Sequence, residues 1–406
     1  MAAKVVAPKL RFKEGKVTQE KQWSRDSIGN LFNVVSGGTP SRANQEFFQN
    51  GKHPWVRTTD LNNGFITTTS ECLTDIALRE TSSKMLPEGT VVVAMYGGFN
   101  QIGRTGLLIS PSAINQALSA ILPNLDTFAP YFLLSYLNYK VDAWKEFAAS
   151  SRKDPNITKE DVKSFELIFP DIKEQTKIAN FLTAVDSKIS QLTKKHGLLT
   201  LYKKGVMQKI FSQELRLKDD EGREFAEWSQ ISFADIANIN MGQSPDSSTY
   251  NQDSLGLPLI QGNADIVNRK TSPRAWTSEP TKKCNPGDLI LTVRAPVGAI
   301  AKSSHAACIG RGVCAITAKE NVSIEFLYQL LFWFESYKWK AIEQGSTFTA
   351  VSGEDIRNLN VMSPVFKEQT KIANFLTAID DKITNVKSQL EAAKEYKQGL
   401  LQQMFV

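Results

Sequence analysis

Much of what catalytic chains carry is missing from these 406 residues. There is no Gly-x-x-x-x-Gly-Lys-Ser/Thr loop to hold ATP. There is no Asn/Asp-Pro-Pro-Phe/Tyr tetrapeptide, and no Gly-rich strand–turn–helix for S-adenosylmethionine. The Gly97–Gly106 stretch has glycines but lacks the spacing and following helix that a phosphate cradle needs. Histidine is scarce: His53, His196 and His305 are the whole supply, which leaves general acid–base work few candidates. The four cysteines, Cys72, Cys284, Cys308 and Cys314, contain no CxxC pair. Their irregular spacing predicts free thiols, with Cys308 and Cys314 as buried small side chains rather than metal ligands beside His305. No apolar run approaches a membrane span and no signal-peptide pattern is seen, so a cytoplasmic protein is expected. A non-catalytic chain without a metal or cofactor of its own follows from these absences.

What is present is present twice. Lys173–Ala184 reads KEQTKIANFLTA and Lys367–Ala378 repeats it without a change, 194 residues later. After each copy, apolar residues alternate in steps of four and three. The first seam runs through Ile178, Leu182, Val185, Ile189 and Leu192, the second through Ile372, Leu376, Ile379, Ile383 and Leu390. This spacing is the stripe of a heptad coiled coil. It predicts two helices of about 40 residues, each roughly 60 Å long at 1.5 Å per residue. So narrow a seam calls for a partner helix, and the chain supplies one of matching length. Lys203 and Lys397 fall at the same seam position.

The duplication reaches into the globular parts. Leu10-Arg11-Phe12-Lys13 matches Leu215-Arg216-Leu217-Lys218, Trp23-Ser24 matches Trp228-Ser229, and Pro40 matches Pro245, all at an offset of 205. Gly89 matches Gly287 at an offset of 198. The order is domain, helix, domain, helix, with expected boundaries at 1–170, 171–212, 213–365 and 366–406. Thr90–Met95 and Asp288–Val293 read as buried strands opened by turns. Tyr131–Phe147 and Ile324–Ile342 have helical spacing. Polar, Gly-rich loops lie between. The expected fold class is α+β: two similar domains separated by two long antiparallel coiled-coil helices with pseudo-twofold symmetry. An antiparallel pairing spares the second domain from spanning the whole rod.

Charge adds little by itself. The net +6 is concentrated at residues 173–209, which carry 8 basic and 2 acidic side chains. Lysines flanking a coiled-coil seam are ordinarily its solvated face. Pro170-Asp171 with Glu174 and Lys177 imitates a nuclease string, but at a helix start Asp and Glu complement the helix dipole.

Gly37-Gly38-Thr39-Pro40-Ser41, Trp55-Val56-Arg57 with Asp60, the Gly89 strand followed by Gly97-Gly98, Asn115-Gln116-Ala117, and the doubled EQxKIAxFL motif together form a pattern. It resembles the specificity subunit of a type I restriction-modification enzyme, over essentially the whole chain. That resemblance implies two target-recognition domains, each reading half of a split DNA sequence. It also implies methyltransferase subunits, two of them, docked on the helices; a restriction/translocase subunit; and S-adenosylmethionine and ATP/Mg on those partners. The second domain departs from the pattern, with MGQSP at 241–245 and Gly310-Arg311-Gly312 where the first has Asn115-Gln116-Ala117. Loop residues able to pair with base edges are Thr39, Ser41, Arg42, Arg57, Asn100, Gln101 and Arg104 in the first domain, with Arg152 and Lys153 for phosphate. In the second they are Gln243, Ser244, Gln261, Asn263, Arg274, Arg294 and Arg311, with Ser346 and Thr347 as lesser candidates. Asn115 and Gln116 rank lower, as structural residues ahead of a strand. A protein-interaction scaffold with the coil as spacer is the alternative reading.

Overall fold

The structure, a computed structural model, describes residues 8–12, 22–98, 100–149, 156–335, 339 and 350–405. It divides into two compact units, Met1–Leu192 with Gln389–Val406, and Thr193–Ser388. Each mixes strands and helices around its own core.

In the first unit the valine run Val91–Ala94 is buried along its whole length. An apolar strand without alternation needs cover on both faces. It is the middle of a five-stranded sheet with the order Val34–Ser36, Leu118–Ile121, Val91–Ala94, Thr105–Leu108, Phe65–Ile66. Only the last pair is parallel. A second sheet joins Glu71–Leu73, His53–Val56 and Ala113–Ile114, the last two in parallel. The segment expected as one helix over Tyr131–Phe147 forms two, Pro130–Tyr139 and Val141–Ala149. The chain breaks at Lys140 (φ −91°, ψ 22°). A tertiary contact accompanies the break: Trp144 lies against Gly103, where a Cβ would sit 2.4 Å from the indole.

The second unit repeats the plan. Leu289–Thr292, also fully buried, sits inside a six-stranded sheet, flanked by Val313–Ala318 and Ile300–Lys302. A five-stranded sheet carries Leu257–Ile260 parallel to Ala307–Ile309. Trp339 presses on Gly298 as Trp144 does on Gly103. The helix begins at Ile324 and is described to Glu335; of the remainder to Ile342, all but Trp339 lie outside the described residues. Cys284, Cys308 and Cys314 are buried among the strands.

The long helices run Ile172–Phe211 and Phe366–Met404, 40 and 39 residues. Their shared motif has a physical explanation. Gln175 accepts from the Ala129 amide (3.1 Å) and donates to the Thr127 and Pro170 carbonyls (3.0 and 2.9 Å). Gln369 likewise accepts from the Ser323 amide (2.9 Å) and donates to Ser363 and the Pro364 carbonyl. Glu174 takes both arms of Arg11, at 3.1 and 2.7 Å; Glu368 takes Arg216 at 2.9 Å. Asp171 accepts from the Glu174 amide (3.1 Å) as a helix cap. Asp171 and Glu174 of the nuclease-like string therefore have structural roles.

Of the seam residues, Ile178, Leu182, Leu192, Ile372, Leu376, Ile379 and Leu390 are buried, while Val185, Ile189 and Ile383 are half-buried. Ile178 and Leu182 enter the first core with Phe128 and Phe132, and Ile372 and Leu376 enter the second with Phe326 and Leu330. The seam thus anchors each helix to a globular part as well as to its neighbour. In the first unit Asp186 meets Lys397 at 2.6 Å. In the second, Lys203 meets Asp380 at 2.7 Å. Within each unit the two helical segments pair antiparallel, and the ion pairs are repeat images of one another. Gly205 and Gly399 face open space: a Cβ on either would meet nothing within 4 Å.

Candidate nucleic-acid interface

In the second unit the parallel strands Leu257–Ile260 and Ala307–Ile309 end side by side, and the chain leaves both into loops. The Gly310 amide donates to the Ile260 carbonyl (2.8 Å). Gly242 packs so tightly that a Cβ there would lie 2.1 Å from the Gly310 carbonyl oxygen. The Ser244 hydroxyl then accepts from the Arg311 amide at 3.2 Å. Asp265 accepts from the Gln261 and Gly262 amides at 2.8 and 3.3 Å. These bonds shape a concave site of about 590 Å³ that gathers Ser244, Gln261, Asn263, Arg294 and Arg311. Five residues chosen on chemistry alone meet in one place.

The first unit is built on the same frame. The Asn115 amide donates to the Val56 carbonyl (3.0 Å), and a Cβ on Gly37 would lie 2.1 Å from the Asn115 carbonyl oxygen. The Thr39 hydroxyl accepts from the Gln116 amide at 3.2 Å. Asp60 accepts from the Arg57 amide (2.8 Å), as Asp265 does from Gln261. Met95 bonds Ala117 and Ile157 through its backbone, and Val293 bonds Gly312 and Val351 in the same way. Position by position, Thr39 corresponds to Ser244, Arg57 to Gln261, Tyr96 to Arg294 and Gln116 to Arg311.

The candidate side chains do not fare alike. Arg42 is held by Glu71 (2.6 Å) and lies over the Phe48 ring at 4.7 Å and the Trp55 ring at 5.2 Å. Arg57 shares Glu71 (2.8 Å) and donates to Ser70 (2.8 Å). Arg274 is bound to Asp265 at 2.9 Å. Each of the three is thus braced by a carboxylate of its own unit. Arg294 and Arg311 are exposed and form no ion pair among the described residues. Gln243 uses its backbone, with its amide on the Ile309 carbonyl and its carbonyl accepting from Thr281. Ser41, Asn100 and Arg104 are exposed, while Gln101 lies half-buried against Gly97. Arg152, Lys153, Ser346 and Thr347 lie outside the described residues.

Two positions of this frame are not evident from the sequence. Tyr96, 46% exposed, is not a typical base reader, although the offset of 198 that aligns Gly89 with Gly287 also aligns Tyr96 with Arg294. Gln116 ranks low because it precedes a strand, yet it occupies the Arg311 position. Among the described residues no group of three or more His, Cys, Asp or Glu could hold a metal ion, and no helix is long and apolar enough to cross a membrane.

Comparison with known proteins gives a consistent picture. The family model for the type I restriction modification DNA specificity domain matches twice, at residues 20–199 and 226–395. A protein of Methanocaldococcus jannaschii, provisionally named the type I restriction enzyme MjaX specificity subunit, is 27% identical over 398 residues, covering 94% of this chain and 93% of its own. The Escherichia coli type I restriction enzyme EcoR124I/EcoR124II specificity subunit is 24% identical over 185 residues, 45% of this chain and 44% of its own. Among solved structures, the type I restriction-modification system S subunit from M. genitalium has the same fold, with a TM-score of 0.66 at 18% identity and 99% of each chain covered. A chain from a study of assembly and conformational transition in the type I R-M system gives 0.59 at 22% identity, covering 96% of this chain and 99% of that one.

Proposed function

The chain belongs to the family of type I restriction modification DNA specificity domains, and from that premise we propose that it is the sequence-specific DNA-recognition subunit of a type I restriction-modification complex. Each globular part, 1–170 and 213–365, reads one half of a bipartite target. The spacer helices, 171–212 and 366–406, set the gap between the halves and dock methyltransferase subunits, two per complex. A restriction/translocase subunit completes the assembly. S-adenosylmethionine belongs to the methyltransferase and ATP/Mg to the translocase; this chain makes and breaks no bond and supplies the address.

One observation carries the reading: a single recognition frame is built twice with different side chains on it. Ser244 and Thr39 hold the same backbone amide, but the residues so held are Arg311 and Gln116. Two sites of one geometry and unlike chemistry suit a target whose halves differ. Contacts to phosphate add affinity that falls with salt, while base contacts carry the specificity. The test is a genome-wide map of methylated adenines in hosts with and without the gene, together with a chimera exchanging residues 1–170. The expected result is a bipartite methylation motif that depends on the gene and changes in one half only in the chimera. A chimera that changes both halves would refute the reading.

A further inference from the structure

We infer that the two units read different bases at one shared position: Arg311, with Arg294 in the same cavity, faces guanine in one half-site, and Gln116 faces an adenine in the other. This rests on the DNA-recognition reading and adds the base class to it.

Arg42 and Arg57 are paired with Glu71, Arg274 with Asp265 and Arg269 with Glu335. Arg294 and Arg311 have no such carboxylate among the described residues, and none lines their cavity. The acids nearest the cavity are committed elsewhere: Asp265 to two backbone amides and to Arg274, and Asp246, between the lining residues Pro245 and Ser247, to the Ser248 amide and hydroxyl. Two unpaired guanidinium groups in one concavity repel each other and seek an acceptor-rich partner. The remaining polar side chains of the lining are neutral: Ser244, Ser247, Tyr250, Gln261 and Asn263. Guanine presents two major-groove acceptors, O6 and N7, spaced for the bidentate fork of arginine, whereas the carboxamide of glutamine matches N6 and N7 of adenine. At the position equivalent to Arg311 the first unit holds Gln116, on the same hydroxyl-to-amide bond.

The experiment uses the complex of the full chain with its methyltransferase subunits, and duplexes carrying its methylation motif. Replacing guanine by 7-deazaguanine, one position at a time, in the half-site read by residues 213–365 removes N7 alone. Binding should weaken about 5- to 150-fold at the contacted guanines, following the usual 1–3 kcal/mol for a bidentate pair, and Arg311→Ala or Arg294→Ala should abolish that penalty. In the other half-site, 7-deazaadenine should act in the same way, with the penalty lost in Gln116→Ala. Arg311→Lys, which keeps the charge but not the rigid fork, should reduce the N7 discrimination with an unchanged salt slope. A second half-site without guanine would overturn the inference. So would arginine variants that weaken target and scrambled duplexes equally with a shallower salt dependence, the mark of a phosphate contact. A wild-type complex without any half-site preference would overturn the recognition reading itself, and this inference with it.

Discussion

The two repeat-related ion pairs make the sharpest test of the energetics, because the lysine of one is buried and that of the other is not. The Lys203 side chain is 6% exposed, whereas that of Lys397 is 29% exposed. Lys203 donates twice to Asp380 at 2.7 Å and lies 4.4 Å from the Phe332 ring centre, beside Arg269 over the same ring. Asp380 also accepts from Gln329 at 2.9 Å. Burial holds the Lys203 amine below the ordinary lysine range, against the pull of Asp380. Asp380→Asn keeps the shape and the Gln329 bond but removes the anion. A buried cation left without its partner costs about 3–5 kcal/mol. The ceiling is set by deprotonation: at pH 7 an amine of ordinary pKa near 10.4 is neutralised for about 4.6 kcal/mol at 1.36 kcal/mol per unit. Asp186→Asn removes the same anion from Lys397, which water can reach, so its cost should be about 1 kcal/mol or less. The pH dependence follows. A lysine with a depressed folded-state pKa keeps its full penalty below that value. Between the folded value and the unfolded 10.5 the unfolded chain binds the extra proton, so native stability rises with pH. The deficit of Asp380→Asn should therefore shrink as pH rises towards 10. Urea unfolding followed by tryptophan fluorescence reads both variants. Equal costs, or a deficit insensitive to pH, would refute the reasoning.

Three further outcomes are expected. Gly37→Ala and Gly242→Ala each push a Cβ to 2.1 Å from a backbone carbonyl; each should cost about 1–3 kcal/mol as overpacking does, and methylation mapping should show Gly37→Ala blurring only the first half-site and Gly242→Ala only the second. Gly205→Ala and Gly399→Ala, which meet only open space, should each stabilise the isolated chain by about 0.8–1 kcal/mol; a lower melting temperature would contradict this. Alkaline pH should unfold the second unit: burial pushes the Cys314 thiol up to about 12 from 9.0, and burial with Asp380 nearby pushes Tyr328 up to about 12 from 10.0. Both acids stay protonated in the native state after the unfolded chain has lost its protons, so their stabilisation is complete below about pH 9 and drains away towards pH 12. Tyr328→Phe and Cys314→Val should flatten that decline in pH-dependent unfolding curves.

Elements with a repeating pattern are legible in the sequence. The long helices, Ile172–Phe211 and Phe366–Met404, follow from regular apolar steps, and the strands at Val91 and Leu289 stand out as unbroken aliphatic runs. What escaped was set by contacts far apart in sequence. Gln175 reads as one more polar residue on a helix until it meets Ala129 and Thr127, 46 and 48 positions earlier. The break at Lys140 carries no proline or glycine to announce it, and the packing of Trp144 on Gly103 beside it joins residues 41 positions apart. Arg42 and Arg57 have the right chemistry for reading bases, and only the position of Glu71 reveals that their charge is already met. Gln116 was hidden because its neighbours read as structural, which its backbone is.

The hydroxyl-to-amide bond that fixes residues 116 and 311 has an evolutionary corollary. It grips the main chain, which every amino acid but proline offers identically, and asks nothing of the side chain beyond. On the proposed reading, a single codon change at either position alters the letter being read while the loop, the sheet beneath it and the long helices stay as they were. A protein built this way can acquire a new recognition sequence in small steps, without first surviving a misfolded intermediate.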